Sequence, residues 1–267
     1  MGFSATGPVV VRLLGMLIAA MGARMAVAAD LVPHEATYIV RFGTAPDGMR
    51  IGTARQQLTH DCRTWRIERD VATDIALGPA LRLTTESRLK GQEPRGAARF
   101  DYKVDRSQGA TTERHAGWAV SSRSGARAEI TVGGRAPVAI DLPGGVSMPV
   151  QAIARVIDAL KGGRTVFSFT VFDPELTSGA LLVDGGLASA DMLRPARIDS
   201  PVPDARAWPV TIAFTRAREG GRPLFTLTGL IYENGALDRL SIESGLIAAG
   251  ADLVAFQPLP VPTCPSS

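Results

Sequence analysis

The residues best suited to chemistry are three histidines, His34, His60 and His115, and two cysteines, Cys62 and Cys264. Imidazoles three or four apart, or cysteines in C-x-x-C, would hold a transition metal. Neither spacing occurs, and each histidine falls in or beside a different extended stretch, so no metal site is expected. His60-Asp61-Cys62 suggests a thiol nucleophile beside a base. In a strand, however, His60 and Cys62 share a face while Asp61 points to the other, and a disulfide would consume the thiol. There is no G-x-S-x-G elbow, Walker loop or dinucleotide fingerprint. Glu68 with Asp70, and Asp101 with Asp105, could form carboxylate pairs on one strand face, but their alternation with apolar residues fits a solvated face. Trp65, Trp118 and Trp208 could line a cavity, although ordinary core packing accounts for them as well. The reading is a protein with no catalytic residue and no cofactor.

The state of the two cysteines depends on compartment. In the cytosol a lone pair would be two buried thiols, and in an exported protein it would be one disulfide. The N-terminus reads as an export signal. Arg12 supplies a positive n-region, Leu13 to Met21 a short apolar core, and Ala26-Val27-Ala28 an A-x-A site with cleavage expected after Ala28. A membrane anchor needs roughly 20 apolar residues, and Arg24 interrupts the run. No lipobox cysteine is present and no second long apolar run follows. The expected location is outside the cytoplasm, with residues 1–28 removed, no transmembrane segment remaining and Cys62–Cys264 bridged.

The whole sequence is 45% hydrophobic, enough for a substantial core. The formal charge is +3, and Arg12 and Arg24 of the signal carry two of those charges. A body this near neutrality gains little non-specific attraction to nucleic acid. Its only lysines are Lys90, Lys103 and Lys161.

Most of this body alternates apolar and polar residues with a period of two, the mark of an antiparallel sheet with one wet face. Tyr38, Val40 and Phe42 share a parity, as do Trp65, Ile67 and Val71. The same holds for Leu81, Leu83, Thr85, Ser87 and Leu89, and for Phe100, Tyr102 and Val104. Turns are predicted at Gly133-Gly134, Gly220-Gly221 and Asn234-Gly235, the last with the two positive φ angles of a type I′ hairpin. From Pro149 to Leu160 the period changes. Val150, Ile153, Ile157 and Leu160 have helical spacing, Ser147 is a candidate cap and Gly162-Gly163 a stop. One curved sheet with a single mid-sequence helix is therefore expected over residues 29–267, as one domain. The proline-rich stretch Arg194–Ala207 is the candidate mobile loop.

An ordered set of short motifs resembles the EipB-like family of periplasmic cell-envelope-integrity proteins of alphaproteobacteria. Leu31-Val32-Pro33-His34-Glu35-Ala36-x-Tyr38 is similar to its opening strand, and Asp61-Cys62 with Trp65 to its first cysteine strand. Met148-Pro149 leading into the helix, and Phe169-x-Val171-Phe172-Asp173, resemble its middle. Trp208-Pro209-Val210, Tyr232-x-Asn234-Gly235 and Leu259-Pro260 before Cys264 resemble its end. Pro174 follows Asp173 where glycine is expected, and Glu35 stands where a basic residue is commoner. The resemblance implies a β-spiral, an all-β, mainly antiparallel open barrel closed by a disulfide between Cys62 and Cys264. It also implies a role in envelope integrity under stress without catalysis.

Three functions are compatible with that reading. The favoured one is a non-enzymatic envelope protein that binds a protein or an apolar envelope component, using an unclosed sheet edge or a concave apolar face. A carrier of lipid or lipoprotein acyl chains would need a hollow interior. An envelope hydrolase would need clustered polar groups with perturbed pKa values.

Overall fold

The period-two segments form fourteen strands, described in a computed structural model. It covers residues 31–264, apart from 77–81, 97, 123, 176–178, 204, 219 and 246. The expected signal and its cleavage site lie outside the described residues. In chain order the strands are β1 (His34–Phe42), β2 (Arg50–His60), β3 (Thr64–Ala76), β4 (Arg82–Pro94), β5 (Arg99–Gln108), β6 (Thr111–Ser121), β7 (Ala126–Val132) and β8 (Val138–Leu142). Helix α1 (Pro149–Lys161) follows, then β9 (Val166–Phe172), β10 (Ala180–Leu187), β11 (Ala207–Arg216), β12 (Phe225–Tyr232), β13 (Leu237–Ser244) and β14 (Ile247–Pro258).

All fourteen belong to one antiparallel sheet in the order β8-β7-β6-β5-β4-β3-β2-β1-β14-β13-β12-β11-β10-β9. The chain therefore runs as two meanders joined where β1 pairs with β14 (His34 opposite Pro258). The two ends of the sheet, β8 and β9, are consecutive in sequence, and α1 connects them. The result is the expected open barrel, with α1 inside the curve.

Register places Leu58, Ile67, Gly91, Tyr102, Gly117 and Ile130 in one row across β2 to β7. These residues face inward. One core cluster runs from them through Leu142, Met148, Val150, Ile157 and Leu160 to Phe167, Phe172, Val183, Val210 and Ile231. Helix and both meanders thus share a filled interior. The stripe read from sequence is the buried face of α1, joined by Val156 and Ala159.

Three local expectations change. The hairpin at Asn234-Gly235 is not type I′, because only Gly235 has positive φ (+96°). Gly235 N–H bonds Tyr232 O, and Asn234 Oδ1 accepts from Ala236 N–H. This asparagine turns the chain through its side chain, without visiting the left-handed region. Ser147 does not cap α1. Its backbone pairs with β9, bonding Thr170 O and Phe172 N–H, while its hydroxyl accepts from Arg155. The proline-rich stretch is pinned, with Arg194 and Val202 buried.

Cys62 and Cys264 are bridged, with Cα atoms 5.3 Å apart and a separation of 202 positions in sequence. Leu259 N–H bonds Pro33 O, leading the C-terminal tail past the start of β1 toward the β2–β3 turn. The bridge therefore staples the middle of the strand order. It does not close the gap between β8 and β9, contrary to the closure the resemblance implied. The crosslink restricts a long denatured loop, worth about 2–5 kcal/mol. Cys62→Ser should lower Tm by roughly 5–15 °C while the sheet persists. Calorimetry and near-UV circular dichroism check this, and an unchanged Tm would show that the bridge contributes nothing.

Candidate functional site

The gap in the barrel is the first candidate. Among the described residues β8 pairs as a strand with β7 alone, and β9 with β10 alone apart from the Ser147 bridge at Val171. An unpaired strand presents a row of N–H and C=O groups ready for another strand. Exposed apolar side chains mark both edges: Val138 on β8 is 60% exposed and Val166 on β9 is 72% exposed. The seam narrows where Gly179, before β10, faces Ile140 and Leu142 of β8, and where Arg218 donates to Asp141 O. On the β9 side Arg155 of α1 lies over the Phe169 ring at 4.8 Å.

Helix α1, which borders the seam, is capped from across the barrel. Met148 at its N-cap offers no side-chain bond. Glu93 at the inward parity of β4 accepts from Val150 N–H and Gln151 N–H, both at 2.9 Å. The pair uses two of the orphan donors at a helix start. Burial pushes the Glu93 carboxyl up to about 7, against the pull of those two N–H groups. The unfolded carboxyl titrates near 4.5, so the native state holds the proton more tightly. This contribution is fully present below pH 4.5 and is lost as pH rises through 7. A gap of this size corresponds to about 3 kcal/mol. Glu93→Gln should flatten the stability–pH curve between 4.5 and 7, measured by urea unfolding across that range. An unchanged slope would remove Glu93 as its source.

A second cluster sits on the inward parity of β3 to β5. Arg69 Nη1 lies 2.6 Å from Glu175 Oε2, Ser87 donates to Oε1 at 2.7 Å, and Arg106 donates to Glu175 O at 2.7 Å. Glu175 N–H in turn bonds Asp173 Oδ1. Burial raises the Glu175 carboxyl, but the Arg69 charge and the Ser87 bond outweigh it and hold it low. Asp173 is raised, burial winning over Arg69. Two carboxyls pushed in opposite directions can mark an acid–base pair. Here both Glu175 oxygens are engaged by the protein's own donors, Arg69 and Ser87. The cluster ties the chain after β9 to the opposite meander.

The residues singled out by sequence are dispersed. His34 is buried, its Nδ1 2.7 Å from Val32 O and its ring stacked on Phe256. His60 Nδ1 lies 2.9 Å from Asp61 O, and its ring tilts against Trp65. His115 Nε2 lies 3.2 Å from Glu113. Among the described residues no group of three His, Cys, Asp or Glu could hold a metal ion. Asp61 is a turn residue, accepting from Arg63 N–H and Thr64 N–H and pairing with Arg66. That explains Asp61-Cys62-x-x-Trp65 as turn, crosslink and packing residue. The carboxylate pairs are solvated: Glu68 meets Lys90, Asp70 meets Arg88, Asp101 meets Arg99 and Asp105 meets Arg114. Glu35 is held bidentately by Arg55 at 2.7 and 2.6 Å, so the unusual acid has a local partner. Trp208 is core and Trp65 packs against it. Trp118 lies on the outer face between Arg99 and Arg127, 5.5 and 5.3 Å from its ring centre.

Sequence reasoning missed Arg69, Arg106 and Glu93, although each is a charged residue at an inward parity position. No helix among the described residues is long and apolar enough to cross a membrane.

The model of the EipB-like family matches residues 25–260. A β-barrel-like protein of domain of unknown function DUF1849 from Brucella abortus, known from its crystal structure, superposes with a TM-score of 0.75. It is 17% identical, and the match covers 87% of this chain and 100% of that one. That likeness concerns the fold. No curated protein matches. Neither description names an activity.

Proposed function

The chain belongs to the EipB-like family, and from that premise we propose that it is a non-enzymatic periplasmic protein supporting envelope integrity under stress. It does so by taking an extended segment of a partner protein onto the open seam. The observation that carries this reading is a sheet left unpaired at β8 and β9 while its interior is filled. Strand addition gains backbone hydrogen bonds at an edge without needing a cavity. A carrier of acyl chains would need the volume that Ile157, Phe172, Phe100 and Leu89 occupy. A hydrolase would need polar groups left open to a substrate, and in the buried charged cluster both Glu175 oxygens are taken by Arg69 and Ser87.

Edge charges oppose strand addition. Val138→Lys with Val166→Lys alters two exposed side chains, so folding should change by no more than about 0.5 kcal/mol per site. The double variant is expected to fold, to be exported, and to leave a deletion strain as sensitive to detergent and cell-wall antibiotics as no protein at all. Full complementation by a folded double variant would refute the seam as the working surface.

A further inference from the structure

The outer face of the first meander carries two depressions that differ in one electrostatic respect. In the first, facing residues alternate in sign strand by strand, Arg55, Asp70, Arg88 and Asp105, and Arg114 continues the row beyond it. Asp70 and Arg88 approach to 2.6 Å, Asp105 and Arg114 to 3.4 Å. That row is neutralised internally.

The second depression, a trough of about 610 Å³, breaks the alternation. Lys90 on β4 stands directly opposite Lys103 on β5. Like charges facing across a strand pair are destabilising. These are two of the three lysines in a chain whose other cations are arginines. Lys90 has Glu68 at 3.3 Å, and among the described residues no ion pair reaches Lys103. The trough has a structural cause. Its floor is the backbone of the row Ile67, Gly91, Tyr102, Gly117. A Cβ on Gly91 would lie 2.1 Å from the Phe100 ring, and one on Gly117 would lie 2.0 Å from Glu129 O. Only glycine lets the sheet bend so closely at both positions. Its walls carry the polar side chains of Gln92, Asp101, Thr131 and Arg66 beside Trp118.

We infer that this trough binds an acidic saccharide, whose anionic group bridges the ammonium groups of Lys90 and Lys103. The strands here are internal to the sheet and have no free backbone edge, so a peptide cannot add as a strand. Recognition must come from side chains. The Gln92 amide and the Thr131 hydroxyl pair with sugar hydroxyls, and the like-charged lysines supply what an anion on the sugar needs. A carboxylate and a phosphate ester share this chemistry. The inference is independent of the seam, which lies on other strands.

The test is calorimetric titration of the full disulfide-bonded protein with trigalacturonic acid, with neutral maltotriose, with glucose 6-phosphate and with inorganic phosphate. Trigalacturonic acid or glucose 6-phosphate should bind at least about tenfold more tightly than either control, and added salt should weaken that binding. Preference between the two tells carboxylate from phosphate. Lys90→Gln and Lys103→Gln should each lose about tenfold in affinity. Lys103→Gln should also raise Tm by about 1 °C, through relief of the like-charge pair. Maltotriose binding as well as the acidic sugars, phosphate binding as well as the sugars, or no binding by any probe would each overturn the inference. So would lysine variants that bind as wild type does.

Discussion

Ile157→Asp should abolish the folded state. Ile157 is fully buried on α1, within the cluster shared by both meanders. Truncating a buried isoleucine costs about 2–5 kcal/mol, and placing an unpaired carboxylate in the same space adds several more. A domain of this kind has about 5–15 kcal/mol in total. The variant is expected to lose its cooperative melting transition, or to show one only at low pH, where the aspartate is neutral. Ile157→Val, which removes one methylene, should cost only about 1 kcal/mol and fold normally. Thermal unfolding of both variants decides the matter. A wild-type melting curve for Ile157→Asp would mean that the helix is not seated in the barrel. The seam would then be a wide groove, and α1 itself would be available to a partner.

The helix was legible because its apolar spacing interrupts a long run of period two, and its buried face is the one the spacing named. The sheet was legible for the same reason, because one-sided burial writes itself into alternate residues. What was hidden followed from exceptions to the alternation. Arg69 falls between Ile67 and Val71 at the inward parity, and Arg106 continues the parity of Phe100, Tyr102 and Val104. Glu93 continues that of Leu89. A charged residue at an inward position announces a buried partner, but the partner's identity is a matter of tertiary structure. Glu175 lies more than a hundred positions from Arg69 in sequence, with Arg69 Nη1 in salt-bridge contact. Glu93 reaches a helix start that local cap rules assign to Ser147. The strand order was hidden more deeply. Alternation is identical for a barrel that closes last strand on first and for one that opens mid-sequence. Only the pairing of β1 with β14 places the gap at α1.

The cysteines illustrate the difference between recognising a pair and locating it. Their bond could be inferred from compartment and resemblance. Its mechanical role could not, since that depends on the path of the tail past β1. The staple lies among β2, β1 and β14, the region where the two meanders join, and the seam is left free. A fold stapled at its join and open at its ends can change at the seam without losing its core.

Arg194→Met should cost about 3–5 kcal/mol, the range for stripping one partner from a buried ion pair. Prolines at 195, 201 and 203 suggest a loose loop, but Arg194 anchors it to the sheet. Its guanidinium donates to Thr44 O at 2.7 Å and to Leu240 O at 3.2 Å, and lies 3.0 Å from Asp252. Arg41 meets the other Asp252 oxygen at 3.2 Å. The Arg194 side chain is 2% exposed and that of Asp252 8%, so the loss of Arg194 leaves a buried Asp252 with Arg41 as its remaining partner. Gly250 exists to admit the group, since a Cβ there would lie 2.2 Å from the Arg194 guanidinium carbon. Gly250→Ala should therefore expel the arginine and destabilise by a comparable amount. The two effects should not add, because both break the same contact. Arg194→Met with Asp252→Leu should cost less than the sum of the two single changes, because both break the Arg194–Asp252 contact, while Arg41 also loses its carboxylate partner. Denaturant unfolding of the single and double variants tests the set. If Arg194→Met cost under about 1 kcal/mol, the loop would be held by Val202 and its apolar neighbours alone, and the proline-rich stretch would be as free as its composition suggests.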